Sequence, residues 1–444
     1  MNQANKPILV RGRILHFLRD PGHGDPDGAY EFIEDGALLI EHGRVRSCGQ
    51  WDDVLASLPG LTRESARYFS YCDKLIVPGF VDTHVHFPQV GVLGSFGRQL
   101  LDWLRDYTFP AEAACADPAV AARIAEFFVD RLLAHGTTTA SVYATVHAHS
   151  VDAFFTQAGR HNLRMLCGKV LMDRNCPDYL RDTPQQAFDE SQALIARWHG
   201  KGRLDYVVTP RFAPTSTPEQ LAVAGELFRS RPGVRLQSHL SETLAEIAWV
   251  RELYPEDRDY LAVYERFGLT GVGSIYGHGI HLGENERRRL AESRTAIALC
   301  PTSNQFLGSG AADEAALAAA GVPLGLATDV GGGTSLSMLR TMGAAYVAAQ
   351  AHGHALTPWR AWYLATLGGA SALCLDEKIG SFAQGKEADF VVLDSERIPE
   401  LAWRLKNCKD LGEELFAMMI LGDERCVLAT HVMGERQAGV NDPA

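Results

Sequence analysis

Short apolar runs alternate with longer amphipathic stretches through the middle of this chain. Strand-length apolar runs recur near residues 75–83, 137–143, 164–171, 205–211, 234–239, 273–278, 296–300 and 323–328. Helical patterns separate them. Four helix starts are marked: Asp117-Pro118, Thr183-Pro184, Thr217-Pro218 and Thr357-Pro358 each set a capping side chain ahead of a proline at the first helical position. Thr217 with Gln220 also fits a capping box. Eight strand–helix alternations predict an α/β fold, a (β/α)8 TIM-type barrel.

Both ends of the chain have a different texture. Residues 8–15 read as a strand and turn, residues 37–48 as a hairpin around Gly43, and residues 388–394 and 426–434 repeat the pattern. This predicts a small β-sandwich domain built from both termini, residues 1–77 and 385–444, around a barrel spanning 78–384. The connection after the first barrel strand, residues 87–117, is unusually long and carries Trp103 and Tyr107. At the catalytic face of a barrel such a loop reads as a lid or substrate wall, with a local packing flap as the alternative.

Composition narrows the partners. The 444 residues can hold one large domain and a smaller one, and the net charge of −12 argues against nucleic-acid backbones and anionic membranes. Nine cysteines without a Cys-x-x-Cys pair read as reduced, mostly buried thiols. The stretch from Met1 to Pro7 lacks the apolar core of a signal peptide, and no apolar run approaches a membrane span. A cytoplasmic protein is the expectation.

The candidate chemistry sits where apolar runs end. Pro78-Gly79-Phe80-Val81-Asp82-Thr83-His84-Val85-His86 closes the first barrel strand. Residues i and i+2 of an extended segment project to the same side, so His84 and His86 can offer two imidazoles to one metal ion. His239, His278 and Asp329 each end a later run, on strands 5, 6 and 8. Catalytic groups of such barrels lie at those strand ends. His84, His86, His239 and Asp329 form the expected ligand set for one divalent first-row metal, which keeps a position for water and lowers its pKa. His278 is then left to orient hydroxide and polarise the substrate. The sequence leaves open whether His278 or Asp329 sits nearer the metal.

Glu242 follows His239 by three residues and is placed to move protons, as a hydrolytic deaminase requires. The plainer reading has it favour the positive end of a helix beginning there. Strand 4 ends in Arg211 and Phe212, and Lys169 lies on strand 3, which counts against a lysine-bridged pair of metals. Arg211 suits an exocyclic carbonyl and Phe212 the face of a flat ring. An Arg paired with a neighbouring acid, beside a core Phe, is the alternative. Gly331-Gly332-Gly333 reads as a tight loop giving room above Asp329. His147, His149, His352 and His354 read as solvated.

On these residues the chain resembles the amidohydrolase superfamily and, within it, the guanine deaminase (guanine aminohydrolase) family. The general marks are the Pro78–His86 stretch, His239-Leu240-Ser241-Glu242, Gly277-His278 and Thr328-Asp329. The narrow marks are His86-Phe87-Pro88-Gln89, Leu101-Asp102-Trp103-Leu104, Tyr107-Thr108-Phe109-Pro110 and Thr209-Pro210-Arg211-Phe212. The resemblance implies one zinc per chain on His84, His86, His239 and Asp329, and catalysis by Glu242, His278 and Asp329. It implies that Gln89, Arg211, Phe212, His86 and Trp103 contact the purine base. The implied reaction turns guanine into xanthine and ammonia by attack of hydroxide at C2, in a homodimer that binds neither nucleic acid nor membrane. Two rivals are another superfamily deaminase or chlorohydrolase, acting on a different purine, pterin or triazine ring, and a non-enzymatic oligomeric scaffold. Loss of metal ligands would mark the scaffold.

Overall fold

The computed structural model describes residues 6–57, 66–96 and 99–437, so most of the N-terminal stretch read for a leader lies outside the described residues. Four strands come first: β1 (Ile8–Phe17), β2 (Tyr30–Glu41), β3 (Arg44–Gln50) and β4 (Arg67–Pro78). The next nine are β5 (Phe80–His86), β6 (Thr137–Tyr143), β7 (Arg164–Gly168), β8 (Val170–Leu171), β9 (Leu204–Pro210), β10 (Arg235–Leu240), β11 (Ser274–His278), β12 (Ala296–Leu299) and β13 (Leu324–Leu326). The chain ends with β14 (Phe390–Leu393), β15 (Val427–Val432) and β16 (Glu435–Arg436).

The middle strands pair in parallel in the order β13-β12-β11-β10-β9-β7-β6-β5, with β8 extending the ladder on β9. Beyond the end of β13 the ring is drawn together by backbone bonds from Asp329 N to His84 O (2.9 Å) and from His86 N to Val330 O (2.7 Å). The result is a nearly closed eight-stranded TIM-type barrel. Helices cover its outside, so strands such as β5 and β6 are buried along their whole length. Both termini build a separate seven-stranded sheet, β16-β15-β14-β4-β1-β2-β3, in which Ile8, Val10, Ile40, Ile76 and Phe390 share one core.

The run read as one strand over residues 75–83 is divided. Leu75 to Pro78 completes β4 in the terminal sheet, paired with β14, and the barrel strand begins at Phe80, opposite Thr137. Pro78 offers no amide hydrogen to continue a ladder. A Cβ on Gly79 would lie 2.1 Å from Thr138 Oγ1, so only glycine lets the chain pass from one sheet to the other there. The hairpin at Gly43 turns through His42 (φ 52°) and Gly43 (φ 74°), as a two-residue turn with left-handed backbone demands.

All four expected caps form: Asp117, Thr183, Thr217 and Thr357 each accept a backbone N–H of the helix that follows. The capping box expected at Thr217 is only half made, because Thr217 N donates to Asp173 Oδ1 (2.7 Å) instead of to Gln220. A complete box joins Thr243 and Glu246 at the helix Leu244–Leu253. That helix therefore caps itself without Glu242, whose side chain is free for other work.

A buried ion network ties the two parts together. Glu387 accepts from Arg164 and Arg203, Arg203 also holds Asp389, and Asp389 accepts from Met433 N (2.8 Å). Burial alone would push the Glu387 carboxyl up, but Arg164 and Arg203 hold it below the usual carboxylate range. Glu387→Gln should cost about 3–5 kcal/mol, because two buried guanidinium groups lose their shared counter-charge. With its folded pKa depressed, Glu387 contributes fully above the ordinary carboxylate range and loses that contribution as pH falls through it. The variant's thermal midpoint should lie below wild type at neutral pH, with the gap narrowing on acidification. An equal midpoint at neutral pH would show the network to be dispensable.

Candidate active site

Five side chains meet at the C-terminal mouth of the barrel. His84 and His86 come from β5, His239 from β10, His278 from the end of β11, and Asp329 from the turn after β13. His84, His239, His278 and Asp329 form a group whose ligand atoms all lie within 4.8 Å of one another. His86 Nε2 stands 3.2 Å from His84 Nε2 and 3.3 Å from Asp329 Oδ1. His278 Nε2 lies 3.9 Å from Asp329 Oδ2, farther than His84 and His86 but within the same group of ligand atoms. Ser241, His278 and Asp329 all adopt left-handed backbone (φ 51°, 77° and 49°), conformations that non-glycine residues hold only where the surroundings enforce them.

The donor set suits a divalent cation. Burial pushes the His84 imidazole below its ordinary range, His239 well below it, and His86 down to about 3, so these rings are neutral bases. Burial pushes Asp329 up, but hydrogen bonds with His84 and His86 hold its carboxyl well below the usual range, leaving it ionised. The far nitrogens of His239 and His278 are engaged elsewhere. His239 Nδ1 is bonded to Arg211 O (2.7 Å) and His278 Nδ1 to Asn304 Oδ1 (2.8 Å), which turns both Nε2 atoms inward. Lys169 is withdrawn from the cluster, donating to Asp182 (2.6 Å) with Glu190 at 3.3 Å.

Glu242 flanks the cluster. Its Oε2 is 3.3 Å from His278 Nε2, and its Oε1 accepts from Ser309 Oγ (2.8 Å). Burial, helped by the nearby Asp329 charge, pushes Glu242 up to about 8, a value suited to a group that both takes and gives protons.

A cleft of about 420 Å3, mouth included, opens over these residues. Arg211, Phe212 and Gln89 line it, with Trp103, Leu100 and Leu307 forming a wall. The long connection does supply that wall: the short helix Leu100–Trp103 places Trp103 against Leu307. Arg211 lines the cleft and also pairs with an acid. Its Nη1 donates to both oxygens of Glu112 at 2.9 Å. Gln89 is held on both sides, by Glu112 Oε1 (2.9 Å) and Gly331 N (3.3 Å). A Cβ on Gly331 would lie 2.7 Å from Gln89 O, so the glycine run admits this close approach of backbone.

Several contributors escaped the sequence. Glu112 lies in the long connection, where the need of a buried Arg for a counter-charge was the only clue. Asn304 and Ser309 follow β12, a strand that supplies no ligand. Tyr143 ends β6 as the ligands end theirs, and its ring stands 4.6, 4.4 and 5.0 Å from those of His84, His86 and His239. The histidines read as solvated are in part half-buried: His149 Nε2 bonds Cys115 O (2.7 Å), and His354 lies near Glu314. His23, Glu314 and His354 make a second ligand-like group, but Arg360, which also holds Asp20, already balances the Glu314 charge. That group pins the loop after β1 to the barrel.

The sequence profile of the Amidohydrolase family matches residues 75–436. A guanine deaminase of Escherichia coli (strain K12) is 48% identical over 426 residues, 96% of either chain. A solved E. coli guanine deaminase superposes with a TM-score of 0.93 at 46% identity, over 97% of this chain and 99% of that one. A guanine deaminase of C. acetobutylicum, solved with guanine bound in its active site, gives a TM-score of 0.87 at 28% identity, over 97% and 99% of the two chains.

The bond between His278 and Asn304 is open to test. Asn304→Ala should weaken divalent-cation affinity by about 10–100-fold, read by titration against a competing chelator. Unchanged affinity would show that the Asn304–His278 bond does not bear on cation binding.

Proposed function

The chain belongs to the amidohydrolase family, and from that premise we propose that it hydrolyses guanine to xanthine and ammonia. The observation that carries the proposal is the pairing of two unlike groups in one cleft. The imidazole–carboxylate cluster with Glu242 and the guanidinium of Arg211 line the same cleft, together with Phe212 and Trp103. Guanine has two matching ends. O6 and N7 form an acceptor edge that a guanidinium reads with two donors. C2, which bears the amino group, lies across the six-membered ring from that edge. A base held by Arg211 therefore presents C2 toward the cluster. The C. acetobutylicum relative, solved with guanine in its active site, supports this reading.

His84, His86, His239 and Asp329 would hold one zinc ion, with His278 in the same cluster. Neutral imidazoles and one carboxylate are donors that zinc accepts. When bound, the ion supplies Lewis acidity that makes water a better nucleophile near neutral pH. The remaining chemistry falls to side chains. Water adds to C2, and Glu242 takes its proton and delivers one to N3. A further transfer through Glu242 protonates the exocyclic nitrogen, so that the C–N bond breaks, ammonia leaves and C2 becomes a carbonyl. Arg211 donates to O6 and steadies the charge drawn there, while Phe212 and Trp103 exclude water from the base.

Glu242→Gln should keep the fold and about one zinc per chain, and should lose ~10²–10⁴-fold in kcat. Turnover at half the wild-type rate would remove the shuttle role. Substrate choice is tested by ammonia release from guanine, guanosine, adenine, cytosine and a triazine under the same conditions. Guanine is expected to react and guanosine is not, because the wall carrying Trp103 should leave little room for ribose. If guanine is inert while another ring reacts, the guanine assignment fails and another family activity replaces it.

A further inference from the structure

We propose that Glu112, carried by the long connection rather than by a barrel strand, is the positioning residue that sets base selectivity, by deciding which nitrogens of Arg211 the substrate can use. The inference rests on the guanine reading above. Glu112 is completely buried, and both its oxygens accept from the same nitrogen, Arg211 Nη1. Among the described residues, Arg211 Nε and Nη2 make no hydrogen bond. A guanidinium is a rigid plane with five N–H donors, so fixing one nitrogen fixes the direction of the other two. The Phe109 ring, 5.6 Å from the guanidinium carbon, supports it from the same segment.

Glu112 also controls its neighbour. Gln89 Nε2 donates to Glu112 Oε1, and Gln89 Oε1 accepts from Gly331 N, two residues beyond Asp329. One carboxylate thus orients both side chains that could grip the base, and refers them to the turn that carries Asp329.

The chemistry of selectivity follows. Two coplanar donors match the O6/N7 acceptor edge. A base without O6 leaves one donor unpaired, and a base with an amino group at C6 sets donor against donor. Buried polar groups left unpaired by the wrong ligand are the strongest source of discrimination a site has, up to ~10⁴–10⁵-fold. That discrimination requires that Arg211 cannot turn to find another partner. Glu112 also balances the guanidinium charge, so the cleft suits a neutral base and holds no uncompensated cation in a dry site.

The test compares guanine with 2-aminopurine, which keeps the C2 amino group and lacks O6, and with 2,6-diaminopurine, which replaces O6 by an amino group. Full-length, metal-loaded wild type, Glu112→Gln and Glu112→Asp are assayed for ammonia release, with a competitive inhibition constant measured for any base not turned over. In Glu112→Gln, kcat/KM for guanine should fall by ~10–100-fold, chiefly through KM. The analogues should change by about threefold or less, so the preference for guanine shrinks by ~10-fold or more. Metal content and thermal midpoint are followed in parallel. If Glu112→Gln does not fold, Glu112→Asp, which keeps the charge and shortens its reach, should fold and show the same direction of change. Equal losses on all three bases, with the ratio unchanged, would make Glu112 merely structural and overturn the proposal. A wild type that turns over another base and not guanine would overturn the guanine reading, and this proposal with it.

Discussion

The seam where β5 meets β13 is the contact on which the rest depends. A parallel barrel gathers its strand ends on one face, but only closure of the ring brings the first strand against the last. Asp82 accepts from Thr328 N (3.0 Å), Thr328 Oγ1 (2.5 Å) and His84 N (3.3 Å), and Thr83 Oγ1 donates to Leu326 O (2.9 Å). With Asp329 N on His84 O, these bonds set the one carboxylate of the cluster beside the two imidazoles of β5. Asp82, which does not line the cleft, is thereby the residue that makes the His-x-His stretch and the distant Asp329 parts of one object. Glycine serves the same end. A Cβ on Gly277 would lie 2.7 Å from His84 Cε1, so the imidazole leans across β11 only because nothing projects there.

Once the ring is closed, burial governs the electrostatics. Desolvation disfavours charge on His84, His86 and His239 and favours their neutral, electron-donating forms. The same penalty on charge raises the Glu242 carboxyl, to about 8, a range in which it can both hold and release a proton. Asp329 stays ionised through its bonds with His84 and His86, and Arg211 is a cation kept in the same cleft. Its counter-ion, Glu112, comes from a segment 99 residues away in sequence. One apolar environment thus sustains three different charge states, because each group meets a different neighbour.

The long connection after β5 joins these two themes. It contributes Gln89 at its start, Trp103 as a wall, and Phe109 and Glu112 beneath Arg211. The barrel supplies the reactive cluster, which its strand ends bring together. The connection supplies part of the cleft wall above it. Loop chain packed against a rigid scaffold can change what is recognised without moving the cluster.

The chain alone determined what depends on local spacing. Strand-length runs marked the barrel, Thr-Pro and Asp-Pro pairs marked helix starts, and His84, His86, His239, His278 and Asp329 were legible because each ends such a run. Arg211 and Phe212 were legible for the same reason. Where two sheets meet head to tail, local spacing misled: the apolar residues on either side of Pro78-Gly79 look continuous, and only the pairing partners distinguish β4 from β5. Tertiary structure alone decided which acid answers Arg211, which side chains hold His278 and Glu242 from behind, and how Asp82 is spent. Those contacts join residues dozens to hundreds of positions apart through hydrogen bonds and ion pairs. Such bonds need only a correctly placed atom, and they leave no periodicity in the sequence to be read.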